Sequence, residues 1–239
     1  MKKTIKLLHL YHQDMNIYGD NGNVLAVKKR LEWRGYDCEI INYNPGDKFP
    51  EEVDILIGGG GQDSGQMKVA KDLQLIKERI HNLANNNTPM LLVCGLYQLF
   101  GHRFETIDGT ILPGIGVFDA TTIGKSERLI GNIVTKSDIF DEIVGYENHS
   151  GQTYLGDKAT PLATVIKGAG NNTSDNSEGV IYKNCIGTYL HGSVLPKNPK
   201  IADFLISKAL IKNDINDPIQ DLDDDISTRA RLVAFKLSR

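Results

Sequence analysis

In the stretch "PMLLVCGLYQLFG" (Pro89–Gly101) a single thiol, Cys94, ends an apolar run and precedes a glycine and a short amphipathic segment. Strand, cysteine, glycine, helix is the layout of a nucleophile elbow, whose sharp turn presents the side chain at the end of the strand. Gly95 removes the Cβ clash that so tight a turn creates. A helix starting there points free backbone N–H groups and a positive dipole end at the sulfur, which favours a thiolate and can hold an oxyanion. The competing reading is a buried thiol with no task, because free cysteine is among the most buried residue types.

A cysteine nucleophile needs a base. The candidates are His9, His12, His81, His102, His149 and His191. His191 stands in "GTYLHGS", just past an apolar strand and before a glycine, again at the end of an element. Its competing reading is a surface imidazole. A run of four glycines, Gly58–Gly61, follows "VDILI". It reads as a plain turn or as an oxyanion loop whose N–H groups face the Cys94 site. A dinucleotide-binding loop fits poorly, since the G-x-G-x-x-G spacing is not met and no clear acidic residue ends the next strand. "IGKS" (Ile123–Ser126) is half of a phosphate-binding loop, but Asp119 stands where the first glycine is required. Cys38 and Cys185 fall inside predicted strands and read as core residues.

The elements that must position these groups alternate. Thr4–Tyr11, Asp37–Tyr43, Val53–Ile57 and Met90–Val93 read as strands. Val24–Trp33, ended by Gly35, and about 65–85 read as helices, the second with Met67, Ala70, Leu73, Ile76, Ile80 and Leu83 on one face. This order predicts an α/β fold, a mainly parallel central sheet flanked by helices and joined by right-handed crossovers. Ligands in such sheets sit beyond the carboxyl ends of the strands, where both Cys94 and the glycine run lie. From Gly109 to Asp157 the pattern shifts to shorter strands with Gly, Asp and Asn turns, which predicts a short antiparallel extension. Lys167–Gly179 is a polar loop by composition. Val180–Leu190 reads as a strand pair, and Ile201–Leu210 and about 226–237 as amphipathic helices. The second of these places Ile226, Ala230, Val233 and Leu237 on one face, with Asp223–Asp225 at its N-terminus. No linker divides the chain, so one domain over 1–239 is expected.

Composition narrows the class. With 239 residues, 40% hydrophobic and 24% charged, the chain can bury a sizeable core. A net charge of -3 asks for neither nucleic acid nor an anionic membrane. Three cysteines match no zinc spacing and fit a reducing, cytoplasmic compartment better than a disulfide framework. No metal site is expected. The apolar N-terminal run is broken by His9, His12 and Gln13, so it reads as a strand and not a signal peptide.

Three of these stretches, "CGLYQLFG" (Cys94–Gly101), "GYENHSG" (Gly145–Gly151) and "GTYLHG" (Gly187–Gly192), occur together and in this order. With them the chain resembles the class I glutamine amidotransferases of the CobB/CobQ type. The likeness is strongest to the branch that serves lipid II isoglutaminyl synthases. There it runs nearly end to end, through "YGDNGNVLAVKKR", "IGGGG" and "GTYLHGSVLPKNP".

The resemblance implies that Cys94 attacks the side-chain amide of L-glutamine and that His191 is its base. It implies an oxyanion hole from the N–H of Gly95 and one from Gly59 or Gly60. It also puts an arginine at Arg128, in "SERLIGNI", where a guanidinium fork suits the substrate α-carboxylate. One position departs from the family. Many members keep a glutamate two residues after the histidine, and here that position is Ser193. Either the Cys–His dyad suffices, or Glu147 orients the histidine, or an acid comes from a partner chain, and the resemblance favours the last. It further implies a heterodimer with a MurT-like, Mur-ligase-type subunit. That partner uses ATP and Mg, handles lipid II at the inner face of the membrane and receives ammonia from this chain, which itself needs no cofactor. Two other classes remain at this stage, a stand-alone γ-glutamyl hydrolase with the same Cys–His chemistry and a non-catalytic binding module.

Overall fold

Strand β1 (Thr4–Leu10) lies inside a six-stranded sheet with β2 (Asp37–Tyr43), β3 (Ile55–Gly58), β4 (Met90–Val93), β11 (Val180–Tyr182) and β12 (Cys185–Thr188), in the order β11-β12-β4-β3-β1-β2. The computed structural model describes residues 4–216 and 218–236. All pairings in this sheet are parallel except β11 with β12. β3, β4 and β12 are buried along their whole length, as strands covered on both faces must be. The register sets Leu10 beside Gly58, Gly58 beside Leu92, and Val93 beside Thr188. The glycine run, Cys94 and the segment leading to His191 therefore leave the sheet at one edge.

Helix α1 (Asn21–Trp33) stops as expected at Gly35, whose φ of +75° suits glycine alone. There the Gly35 N–H donates to Glu32 O at 2.8 Å and the Tyr36 N–H to Leu31 O at 3.0 Å. The expected single helix over 65–85 is two, α2 (Asp63–Leu75) and α3 (Lys77–Asn85), with Ile76 between them outside helical geometry. Val69 rather than Met67 joins Ala70 and Leu73 in the core. α4 (Gly95–Phe100) starts immediately after Cys94.

The antiparallel part is larger than the sequence suggests. β5 (Arg103–Glu105), β6 (Ile111–Pro113), β7 (Ala120–Ser137), β9 (Ala163–Lys167) and β10 (Ser177–Glu178) form a second sheet in the order β10-β9-β7-β5-β6, and β8 (Asp141–Leu155) pairs with β7. β7 and β8 have 18 and 15 residues and are not short strands. A register shift between Gly124 and Leu129 breaks the alternation of β7 and leaves Lys125–Arg128 exposed, which hides its length in the sequence. Ile123–Ser126 lies inside β7, so "IGKS" is strand and not a phosphate loop. The sheets meet where the His191 N–H donates to Tyr146 O of β8 at 2.8 Å.

After α5 (Val194–Lys197) and α6 (Pro199–Lys212) comes α7 (Asp225–Lys236). The helix expected at about 226–237 is found as α7, but nothing among the described residues covers its apolar face. None of its residues is buried, Ile226 and Val233 are exposed, and Leu237 lies outside the described residues. The segment before α7 is anchored instead by charge. Buried Arg30 of α1 makes paired hydrogen bonds to Asp203 of α6 and to Asp224.

Glu178 is a buried acid behind β12. One carboxylate oxygen accepts from Thr188 Oγ1 at 2.6 Å and from the Tyr189 N–H at 2.9 Å. Burial, against these hydrogen bonds, raises its pKa to about 7 from the ordinary 4.5. Between those values the folded chain holds a proton that the unfolded chain has released. The contribution of Glu178 to stability therefore falls as pH rises from 4.5 to about 7. Glu178→Gln, a neutral replacement at every pH, is expected to flatten that part of the stability profile in denaturant titrations. A profile unchanged by the substitution contradicts the raised pKa.

Candidate active site

Cys94 occupies the turn between β4 and α4 with φ +50° and ψ −105°. A non-glycine residue in that region is strained and persists only where its surroundings enforce it. Here the Cys94 N–H donates to Thr188 O at 2.8 Å, and Cys94 O accepts from the Gln98 N–H at 3.0 Å. A Cβ at position 95 would lie 2.8 Å from Met15 Cε and 2.9 Å from Gln66 Nε2, so a side chain there would displace the ends of both neighbours. The other thiols differ in kind. Burial pushes Cys38 up to about 11 and Cys185 up to about 12, which leaves both protonated at neutral pH.

His191, 1% exposed, is brought to Cys94 from β12. Gly60 stands between them. A Cβ on Gly60 would lie 2.9 Å from His191 Cε1 and 3.1 Å from Cys94 Cβ. The ring of Tyr18 packs edge-on against the imidazole with centroids 5.0 Å apart. Burial pulls the His191 pKa down, but the Cys94 thiolate and the Asp20 carboxylate outweigh it and lift it to about 10. The arrangement is that of a Cys–His pair.

The acid beside His191 is one the sequence reading did not single out. Asp20 Oδ1 lies 3.7 Å from His191 Nδ1, and Asp20 is 1% exposed. Its position before α1 reads as an ordinary helix cap, yet its side chain makes no capping bond and turns inward. The Glu147 carboxylate accepts from the N–H groups of Ala169 and Gly170, an anchor for the loop after β9. Ser193, two residues after His191, donates its hydroxyl to Gly19 O at 2.6 Å, next to Asp20.

The glycine run is shaped by close approach. Added Cβ atoms would lie 2.3 Å from Leu96 Cδ1 at Gly58, 2.6 Å from Asp20 Cβ at Gly59, and 2.5 Å from Met15 Sδ at Gly61. The Gly60 N–H donates to Asp20 Oδ2 at 2.7 Å. It is therefore engaged by a carboxylate and is not turned to an oxyanion.

Cys94 opens into a cleft of about 400 Å³ that Arg128, Asn148, Gln66 and Tyr18 also line. Arg128 lies on the exposed shoulder of β7 and donates through Nε to Asn148 Oδ1 at 2.7 Å. Asn148 Nδ2 donates in turn to the Tyr18 hydroxyl at 2.8 Å. Behind the cleft, Gln66 Nε2 donates to Gln98 Oε1 at 2.6 Å, and Gln98 Nε2 to the Tyr189 hydroxyl at 3.1 Å. His149 also lines the cleft but stacks on Tyr189 at 3.6 Å. Burial, with lesser contributions from His191 and Arg128, lowers its pKa to about 3, so its ring is neutral. Of the remaining histidines, His102 pairs with Asp119 and His81 with Ile115 O, and burial lowers His9 to about 4. Among the described residues no group of three or more His, Cys, Asp or Glu is placed to hold a metal ion, and no helix is long and apolar enough to cross a membrane.

Residues 6–199 match the CobB/CobQ-like glutamine amidotransferase domain. Two curated relatives are both described as lipid II isoglutaminyl synthase (glutamine-hydrolyzing) subunit GatD. The one from Staphylococcus aureus is 39% identical over 96% of this chain and 94% of its own length. That from Streptococcus pneumoniae is 40% identical over 87% and 81%. A solved glutamine amidotransferase from Thermotoga maritima superposes with a TM-score of 0.56 at 17% identity, covering 96% of this chain and 93% of the other. That likeness concerns the fold.

Proposed function

The chain belongs to the CobB/CobQ-like glutamine amidotransferase family, and from that premise we propose that it is the glutamine-hydrolysing subunit of a lipid II isoglutaminyl synthase. The observation that carries the reading is Cys94 in a strained turn, with His191 against it and Arg128 across one cleft. Relatives sharing 39–40% of the sequence over most of their own length support the lipid II assignment.

In this mechanism the Cys94 thiolate attacks the side-chain carbonyl carbon of L-glutamine. The tetrahedral oxyanion is held by the N–H groups of Gly95 and Gly59, since that of Gly60 is engaged by Asp20. His191 gives its proton to the departing nitrogen, and ammonia leaves a γ-glutamyl thioester. His191 then takes a proton from water, hydroxide attacks the thioester, and glutamate departs as the thiolate reforms. The Arg128 guanidinium, steadied by Asn148, grips the α-carboxylate. Ammonia passes to a MurT-like, Mur-ligase-type partner, which uses ATP and Mg to activate the D-glutamate α-carboxyl of the lipid II stem peptide. The pair works at the cytoplasmic face of the membrane.

The test is reconstitution of the purified chain with the Mur-ligase-type subunit from the same cell. Glutamine-dependent, ATP-dependent amidation of lipid II is expected, with glutamate and amide formed in equal amounts. Ammonia release with no amidation under any condition of assembly returns the chain to a stand-alone γ-glutamyl hydrolase. A smaller probe addresses Arg128. Arg128→Lys replaces a fork of two hydrogen bonds by a point charge. It is expected to raise the KM for glutamine by about tenfold or more, with a lesser effect on kcat. Unchanged KM makes Arg128 an ordinary surface residue.

A further inference from the structure

We infer that Tyr18 is a positioning residue for both ends of the substrate: its ring backs the imidazole of His191, and its hydroxyl, through Asn148, holds Arg128 in place. This assignment rests on the reading of the cleft as a site of glutamine hydrolysis.

The direction of the bonds follows from chemistry. A guanidinium only donates, so Asn148 must turn its Oδ1 to Arg128 Nε, at 2.7 Å. Its Nδ2 then faces the Tyr18 hydroxyl, which accepts at 2.8 Å. With Nε held by Asn148, both terminal nitrogens of Arg128 remain for a carboxylate. Arg128 needs such a hold. It lies in the exposed Lys125–Arg128 stretch at the register shift of β7, where strand pairing does not fix it. A long side chain there has many rotamers to lose, and a fixed partner lowers what substrate binding has to order. Asn148 is a firm base, because it sits opposite Ile130 where the β7–β8 register is regular.

At its other end the tyrosine meets His191. The two rings have centroids 5.0 Å apart and planes at 71°. Tyr18, Cys94, Arg128 and Asn148 line one cleft. The turn that carries Tyr18 holds it in one place. Its φ of +57° and ψ of 22° are left-handed, a conformation that a bulky residue keeps only where its surroundings enforce it. The Ile17 N–H donates to Gly60 O at 3.0 Å, and Gly19 O accepts from Ser193 Oγ at 2.6 Å. The residues on either side of Tyr18 are thus tied to the glycine loop and to the segment after His191. At 43% exposure the side chain is no core residue, so the strained turn is not explained by burial. What it secures is the relative placement of the base and the carboxylate-binding arginine, and reacting geometry is sensitive to shifts of about 1 Å.

The test separates the hydroxyl from the ring. Glutamine hydrolysis is measured in the complex reconstituted with the Mur-ligase-type subunit. Tyr18→Phe keeps the ring against His191 and is expected to raise the KM for glutamine by about three- to tenfold, with kcat within about twofold. Tyr18→Asn removes the ring and suits the left-handed turn. It is expected to raise KM similarly and to lower kcat by about tenfold or more. In an Asn148→Ala background, Tyr18→Phe is expected to change KM no further, because the hydroxyl acts through Asn148. An unchanged KM in Tyr18→Phe, an equal kcat in Tyr18→Phe and Tyr18→Asn, or KM effects of Tyr18→Phe and Asn148→Ala that multiply overturns the proposal. Calorimetric binding of L-glutamine to Cys94→Ala gives a readout without turnover, and adding Tyr18→Phe is expected to weaken it by the same three- to tenfold factor. Binding that depends on Tyr18 in a chain whose unsubstituted form releases no ammonia disproves the hydrolytic reading and leaves the positioning role. Binding and KM that both ignore Tyr18 in an active enzyme disprove the positioning role alone.

Discussion

Cys94→Ala is expected to abolish ammonia release from glutamine, a loss of about 10⁴-fold or more, while the chain stays folded. The substitution removes one sulfur from a strained turn whose backbone bonds, to Thr188 O and from the Gln98 N–H, do not involve the side chain. A glutamine-mimicking electrophile is expected to label Cys94 alone. The reason lies in environment, not in accessibility by itself. Cys38 and Cys185 are held as thiols by burial, at about 11 and about 12. Cys94 instead lies against the protonated His191 and shares its cleft with the cation Arg128. Labelling of Cys38 or Cys185 at a rate equal to that of Cys94 removes the basis of the assignment.

His191→Ala is expected to reduce turnover by about 10²–10⁴-fold, and far more than His149→Gln does. Both imidazoles lie near Cys94, but their surroundings drive them in opposite directions. His191 is raised to about 10 by the thiolate and Asp20 against the effect of burial, so it carries a proton to give to the leaving nitrogen. His149 is lowered to about 3 by burial, stacks on Tyr189 and binds Gly151 O, so it has no proton to transfer at neutral pH. The loss should not add to that of Cys94→Ala, because the two groups act as one unit. The pH dependence has a definite sign. Protonated up to about 10, His191 keeps the proton it gives to the leaving nitrogen across the neutral range, so turnover is expected to fall as pH rises through about 10. A larger loss in His149→Gln than in His191→Ala reverses the assignment.

Local patterns carry the parallel half of this molecule. Apolar runs four or five residues long, glycine at the end of α1, and a cysteine followed by glycine and a helix are visible in the chain because each depends on neighbours in sequence. Cys94, the glycine run and His191 could be placed at one sheet edge for the same reason, since parallel strands deliver their carboxyl ends together. The long β7–β8 pair was not legible. Its register shift breaks the period-two alternation, and the partner that buries each strand lies far away in sequence. The exposure of α7 was not legible either, because periodicity reports an apolar stripe and not whether anything covers it. Asp20 was missed on similar grounds. Before a helix an aspartate reads as a cap, and the inward turn of its carboxylate depends on Gly60 and His191, which lie 40 and 171 positions away. The Gly60 N–H, expected as a possible oxyanion donor, is taken up by the same carboxylate. Which carboxylate meets a histidine is a matter of three-dimensional proximity among groups with no common sequence period, and only the folded packing brings them within reach.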